Sequence, residues 1–316
     1  MKIVYLGPLA RELVKTALAG SQFELVAAEP DSDLDNILSD ASVLITTGPT
    51  YSQKVAEAAK KSSSLKLIHL TSAGFENVEK FGAPSGAQLC NAAEAWSIAV
   101  AEHAMAMMLA LRRRLIDALS QQRENLWNRT YADNCRSMYG STLLIVGYGR
   151  IGKQIARRAK AFSMRIIAVS AESDKDDYVD ELVGINALHT TLPKADIVVA
   201  AVPSTPETVN MFNTDSFAHF KPGSTFINVA RGDVVNAVDL EAALRSNQIG
   251  GAAIDVTVPE PLPSHSPLWA APNIIITPHV AGAVPDLVPL NIRDVVVANL
   301  KRLANGETLN NLVVLK

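Results

Sequence analysis

An α/β protein with two doubly wound parallel sheets and a cleft between its two domains is the architecture this sequence predicts, on three observations. Its 316 residues exceed the roughly 250 to 300 at which a single hydrophobic core stops growing. Short apolar runs alternate with helical patterns in two separate series, and such alternation places crossover helices against a parallel sheet. The second series opens on a glycine-rich turn between a strand and a helix.

The first series begins with a strand from Met1 to Leu9, centred on Ile3–Leu6, and a helical pattern over Ala10–Leu18. Strands follow at Phe23–Ala27, Val43–Thr46 and Leu67–Leu70. Glu94–Leu119 reads as one helix, too apolar around its circumference to lie on a surface, so it is expected to pack between domains or against a second subunit. Arg112-Arg113-Arg114 inside it reads as a solvated helix end.

The second series predicts strands at Thr142–Val146, Arg165–Ser170, Ile197–Val202, Thr225–Val229, Gly251–Val256 and Ile274–Thr277. Helices are expected at Ile151–Phe162 and Asn236–Ser246, with Asn236 as the N-cap of the latter. Leu287–Asn305 is an amphipathic helix, and Thr308–Leu315 a short apolar strand. A chain that returns to its first domain accounts for that last strand. Residues 1–98 with 288–316 are therefore expected to form one domain and 99–287 the other.

Composition narrows the function classes. With 48% hydrophobic and 19% charged residues, the chain has a core to bury and is no disordered tail. A net charge of -3 and a pI near 6.1 carry no footprint for nucleic acid. Cys90 and Cys135, far apart and without fellows, suit a reducing compartment better than a disulfide framework. No signal-type apolar stretch follows Met1, and Ile98–Leu111, interrupted by Glu102 and His103, is too short to span a bilayer. A cytoplasmic protein without nucleic-acid or membrane partners is the expectation. No His/Cys/Asp cluster stands at metal-ligand spacing, so no metal is expected.

Leu143-Leu-Ile-Val-Gly147-Tyr-Gly149-Arg150-Ile151-Gly152 is a buried strand, a G-x-G-x-x-G loop and a helix start in sequence. Gly147 permits the tight turn, Gly149 lets the backbone approach a pyrophosphate, and Gly152 lets helix and strand pack closely. Amides near Arg150 and Ile151 then face the phosphates at the positive end of the helix. The bland alternative is a glycine turn without a ligand. Some twenty residues on, an acid takes the adenosine ribose in NAD sites, and a nearby cation accommodates the phosphate of NADP. Ser170 stands where the acid is expected. Glu172 could serve the ribose, or Ser170 with Lys175 could tolerate the phosphate. The missing acid tips the reading toward NADP over NAD.

Three polar residues interrupt apolar strand ends of the second series: Arg231, Glu260 between two prolines, and His279 after Pro278. Ligands of open α/β sheets sit at such ends. A guanidinium fork matches a carboxylate, and a carboxylate beside a histidine stabilises its imidazolium, which suits a proton donor near neutral pH. Singly, each has a plainer reading as a surface ion-pair partner, a loop carboxylate or a satisfied buried histidine. Three together behind a dinucleotide loop favour chemistry.

Ser72-Ala-Gly-Phe-Glu-Asn-Val, Val100-Ala-Glu-His, the glycine loop, Val202-Pro-Ser-Thr-Pro-Glu-Thr, Asn228-Val-Ala-Arg-Gly-Asp, Ala253-Ile-Asp-Val, Pro259-Glu-Pro-Leu-Pro and Thr277-Pro-His-Val-Ala-Gly stand in an order that resembles the D-isomer-specific 2-hydroxyacid dehydrogenase family, over nearly the whole chain. The resemblance implies Rossmann-like and flavodoxin-like domains, the second domain inserted into the substrate-binding first, and an active site in a cleft whose closure excludes water. It implies that Arg231 binds the substrate's carboxylate and carbonyl oxygen, that His279 is the acid/base and that Glu260 orients it. Backbone at Ala73 and Gly74 would meet the carboxylate, Asp255 the carboxamide, and Val202, Pro203, Thr208 and Ala230 would line the cofactor. Hydride transfer to or from C2 of a small D-2-hydroxy or 2-oxo acid follows, with glyoxylate and hydroxypyruvate as first candidates.

Gln121–Tyr139, with Trp127 and Tyr131, resembles the arm by which relatives form homodimers. The end at Lys316 predicts no additional regulatory domain. Glu260, an acid where formate-oxidising relatives would carry an amide, argues against that branch. Two other readings fit the same motifs: a dinucleotide-sensing corepressor-like protein, and a dehydrogenase of an inorganic oxyanion such as phosphite. Tyr51, Ser72, Phe75, Trp96 and Leu268 are expected near the pocket. His69 and His103 are expected to be structural or to form cleft walls, and His189, His219 and His265 carry no assigned role.

Overall fold

Both series fold into parallel sheets. The structure, a computed structural model, describes residues 1–171 and 176–315, and the chain divides into two compact units, one of residues 1–96 with 284–316 and one of residues 97–283. From the sequence these divisions are expected at 98/99 and 287/288.

The first unit has five strands: β1 (Lys2–Leu6), β2 (Glu24–Ala28), β3 (Val43–Thr46), β4 (Leu67–Leu70) and β5 (Gln88–Cys90). They lie in the order β2-β1-β3-β4-β5, all parallel, the doubly wound order of flavodoxin-like sheets. The strands β3 and β4 are buried along their whole length, which is why they read as largely apolar runs rather than alternations. The three-residue β5 was not legible beforehand, because Pro84, Gly86 and Gln88 crowd its start.

The second unit carries seven parallel strands: β6 (Thr142–Val146), β7 (Arg165–Val169), β8 (Glu181–Val183), β9 (Ile197–Ala200), β10 (Thr225–Asn228), β11 (Gly251–Ile254) and β12 (Ile274–Ile276). Their order is β12-β11-β10-β9-β6-β7-β8. Read from β8 inward this is the Rossmann order, with the reversal between β6 and β9 where dinucleotides bind in such sheets. Phe212, Phe217, Phe220 and Phe226 pack ring against ring in its core. Asn236 caps its helix by accepting from the backbone N–H of Val238 and Asp239.

Three expectations need correction. The single helix Glu94–Leu119 is two, Ala93–Arg112 and Leu115–Arg123, broken where Arg114 turns left-handed at φ 55°. Nor is the arginine run a solvated helix end: Arg112 donates to the carbonyl of Ser137 at 2.7 Å and Arg114 to Asn273 Oδ1 at 2.8 Å, so two of the three cations are spent fixing the break. The final strand Thr308–Leu315 does not form. Asn311, left-handed at φ 55°, interrupts the extended run, leaving one antiparallel bridge between Leu312 and Cys90. Among the described residues no helix is long and apolar enough to cross a membrane.

Candidate active site

The turn after β6 is shaped by what cannot fit there. Gly147 adopts φ +102°, and a Cβ on it would sit 2.5 Å from the carbonyl oxygen of Ala201; one on Gly152 would sit 2.2 Å from the oxygen of Gly147. Only hydrogen can occupy either position, so β6, the end of β9 and the helix Arg150–Ala161 close on one another. Gly149 differs: no atom of the described residues lies within 4 Å of its absent side chain. An open floor at Gly149, ahead of the N-terminus of a twelve-residue helix, fits a pyrophosphate cradled by backbone amides. Arg150 is exposed and Ile151 half-buried at that terminus.

This loop is tied down by contacts that no sequence pattern signals. Tyr148 is buried and donates its hydroxyl to Asp176 Oδ1 at 2.6 Å, and burial together with that carboxylate drives its pKa upward. The backbone N–H of Ser170, at the end of β7, donates to Val183 at 3.0 Å. Glu172 and Lys175, the alternative ribose and phosphate contacts, lie outside the described residues.

Beyond β9, Val202 and Pro203 lead into a turn closed by Thr208, whose hydroxyl donates to the carbonyl of Pro203 at 2.7 Å and accepts from the N–H of Thr205 at 2.8 Å. Thr208, expected to line the cofactor, has its hydroxyl engaged within this turn. Next to it, Ser204 donates to Asp233 Oδ2 at 2.6 Å, joining this turn to the one that carries Arg231.

The loop after β10 is folded by the last residue of that strand. Asn228 accepts from Ala230 N–H and donates to the carbonyl of Arg231, both at 3.0 Å. Arg231 is half-buried, and its Nη1 donates to Ala230 O at 2.9 Å. Gly232 then presses against Thr257, whose carbonyl carbon would lie 2.1 Å from a Cβ there. Thr257 in turn donates its N–H to Glu260 Oε1 at 3.0 Å, and Glu260 Oε2 stands 2.8 Å from His279 Nδ1. The peptide bonds before Pro259 and Pro261 are both cis. Three strand ends of one sheet thus bring the Arg231 loop, Glu260 and His279 into a single run of contacts, with the imidazole half-exposed and its Nε2 turned away from the carboxylate.

His279 itself is left-handed, at φ 53°. Asp255, at the end of β11, holds that turn. Its carbonyl accepts from His279 N–H at 2.8 Å, and its carboxylate, 2% exposed, accepts from Val280 N–H and Ala281 N–H at 2.9 Å each and from the Thr277 hydroxyl at 2.6 Å. Periodicity carried no sign of this cluster, because its members are single polar residues at strand ends.

In the first unit, Ser72 Oγ accepts from Gly48 N–H and donates to Gly74 O, each at 2.8 Å, while Asn91 donates to the carbonyl of Ala73 at 2.9 Å. With both carbonyls tied back, the N–H of Gly74 points the other way across its trans peptide. Among the described residues neither Ala73 N–H nor Gly74 N–H finds a hydrogen-bond acceptor, the arrangement an anion would complete. Two of the expected pocket residues are not available to one. Tyr51 is fully buried, bonded to Gly82 O at 2.9 Å, and Leu268 belongs to the second unit's core.

His69 is wholly buried in β4, donating from Nδ1 to Leu70 O and accepting at Nε2 from Asn299, both at 3.1 Å; burial pushes its pKa down to about 4. His189, Asp215 and His219 do come together on the surface, which sequence spacing had not indicated, since the donors sit on two separate segments. Their imidazoles are stacked, centroids 4.6 Å apart and planes within 19°. One ligand atom of each of the three lies within 4.8 Å of the others, and all three residues are exposed.

Residues 105–281 match the family model described as D-isomer specific 2-hydroxyacid dehydrogenase, NAD binding domain. The chain is 33% identical over 283 residues to D-3-phosphoglycerate dehydrogenase of Synechocystis sp., covering 88% of this chain and 48% of that protein; it thus spans about half that relative's length. It is 33% identical over 279 residues to glyoxylate reductase of Korarchaeum cryptofilum, covering 87% of this chain and 82% of that protein. The crystal structure of a D-isomer specific 2-hydroxyacid dehydrogenase family protein from Aeromonas salmonicida matches at a TM-score of 0.87 and 30% identity, covering 100% of this chain and 99% of that one.

Proposed function

The chain belongs to the D-isomer specific 2-hydroxyacid dehydrogenase family, and we propose that it moves a hydride between a nicotinamide dinucleotide and C2 of a small 2-oxo or D-2-hydroxy acid. The observation that carries this reading is the Glu260–His279 pair at 2.8 Å, joined through Thr257 and Gly232 to the Arg231 loop. A histidine fixed by a carboxylate on Nδ1 offers Nε2 as a proton donor or acceptor.

When bound, the dinucleotide supplies or accepts the hydride. Gly147, Gly149 and Gly152, with the amides at Arg150 and Ile151, would hold its pyrophosphate; Val202, Pro203, Ala230 and Ser170 would flank it. Arg231 binds the substrate carboxylate and the C2 oxygen as a fork of N–H donors. His279 Nε2 gives its proton to that oxygen in reduction and takes it back in oxidation. Glu260 keeps the ring oriented and balances the imidazolium's charge. Ala73 and Gly74 offer two further backbone donors of the kind a carboxylate oxygen takes.

Ser170 in place of an acid removes the charge that would repel a ribose phosphate, which supports NADP over NAD. The likeness to a glyoxylate reductase supports a small 2-oxo acid such as glyoxylate, with hydroxypyruvate next. The exposed arm, with Leu126, Trp127 and Tyr139 all more than half exposed, supports a homodimer.

Loss of reduced-nicotinamide absorbance with glyoxylate, hydroxypyruvate, pyruvate and phenylpyruvate, each with NADPH and NADH, tests the reading. Turnover that a His279→Ala variant lowers by about 10²- to 10⁴-fold is expected. Dinucleotide binding with no turnover of any of these acids would overturn it.

A further inference from the structure

Behind His279 lies a hydrogen-bonded chain that begins at a histidine with no part in the reaction proposed above. His103, on the helix Ala93–Arg112, places Nε2 3.0 Å from Thr277 Oγ1 and 3.6 Å from Asp255 Oδ1. Thr277 Oγ1 is 2.6 Å from the same Asp255 oxygen. The direction of each bond follows from proton counting. A carboxylate only accepts, so Thr277 spends its one hydroxyl proton on Asp255, and its oxygen can only accept from the imidazole; His103 therefore carries a hydrogen on Nε2.

The far end of the chain is the turn that bears His279. Asp255 receives Val280 and Ala281 N–H on its carboxylate and His279 N–H on its carbonyl. That turn is strained: a left-handed conformation is disfavoured for a residue other than glycine, and it persists only where its surroundings over-determine it. Asp255 supplies the acceptors. His103 and Thr277 fix which way the carboxylate faces, from a helix remote in sequence, in a site where Asp255 is 2% exposed.

We infer that His103 is a positioning residue for His279, acting through Thr277 and Asp255 to hold the 278–281 turn in the one conformation that aims the imidazole. The inference rests on reading His279 as the acid/base for its catalytic consequence, though not for the positioning itself.

Two readouts separate these. In His103→Leu, which keeps bulk and loses the donor, amide hydrogen exchange at Val280 and Ala281 is expected to quicken at least about tenfold, with exchange in β6 and β9 unchanged; His103→Gln, which keeps an N–H donor, restores protection. In turnover, His103→Leu lowers kcat about tenfold or more while the KM for dinucleotide changes little. Thr277→Val reproduces the loss, and the double variant is no worse than either single one. Unchanged exchange at the turn in His103→Leu overturns the proposal, as does equal damage from Gln and Leu accompanied by a lower melting temperature. Quickened exchange in a protein whose wild type turns over no oxo acid upholds the positioning and removes the acid/base reading instead.

Discussion

Glu260 grips His279 with one carboxylate oxygen while the other is held by the backbone N–H of Thr257, at 2.8 and 3.0 Å. A carboxylate fixed at both oxygens cannot swing away from the ring, so the imidazole's Nδ1 is committed as a donor and Nε2 is the nitrogen left to exchange protons.

Glu260→Gln keeps the shape and inverts that logic. With its carbonyl oxygen on Thr257, the amide nitrogen faces Nδ1 as a donor, so the ring is forced to carry its hydrogen on Nε2. Oxidation of the hydroxy acid, which needs a bare Nε2, and reduction of the oxo acid, which needs an imidazolium with hydrogen on both nitrogens, are both expected to fall about a hundredfold. Steady-state rates in both directions check this; wild-type rates in either direction would contradict the tautomer argument.

Arg231→Lys keeps the charge and loses the fork. One point charge replaces two parallel donors to the substrate carboxylate, and kcat/KM for the oxo acid is expected to drop about tenfold or more, equivalent to about 1.4 kcal/mol. Dinucleotide affinity, measured by fluorescence titration, should stay near that of the wild type.

The glycine loop yields a pair of opposite outcomes. Gly152→Ala pushes a methyl to within 2.2 Å of Gly147 O, so helix and strand must part, and stability in urea is expected to fall about 1–3 kcal/mol. Gly149→Ala meets nothing within 4 Å among the described residues, leaving stability in place, yet its methyl occupies the floor on which a pyrophosphate would lie. Dinucleotide affinity should fall about tenfold or more, read by titration on a fully folded protein.

His69 makes stability depend on acid. Buried neutral, with its pKa lowered from 6.5 to about 4, it stays unprotonated in the fold while the unfolded chain gains a proton below pH 6.5. Its contribution is therefore intact above about pH 6.5 and is lost as pH falls toward 4, by an amount on the order of 3 kcal/mol. His69→Gln retains an acceptor for Asn299 and does not titrate, so the urea midpoint of the variant should fall less steeply between pH 6.5 and 4 than that of the wild type.

What the sequence determined by itself was whatever a local pattern carries. Fully buried parallel strands are largely apolar runs, so β1, β3, β4, β6, β9 and β10 were legible. A dinucleotide turn must have glycine where no Cβ fits, so Gly147 and Gly152 announced the Rossmann unit, and Arg231, Glu260 and His279 stood out as polar residues ending apolar strands. Tertiary structure decided what depends on partners distant along the chain. Arg114 breaks the long helix because Asn273 receives its side chain. Asp255 reaches Val280, Ala281 and Thr277, and His103 reaches Thr277 across 174 positions. Periodicity reports which face of an element is buried; it carries no information about which single polar side chain meets another once the strands are side by side, and the orientation of His279 is set by such meetings.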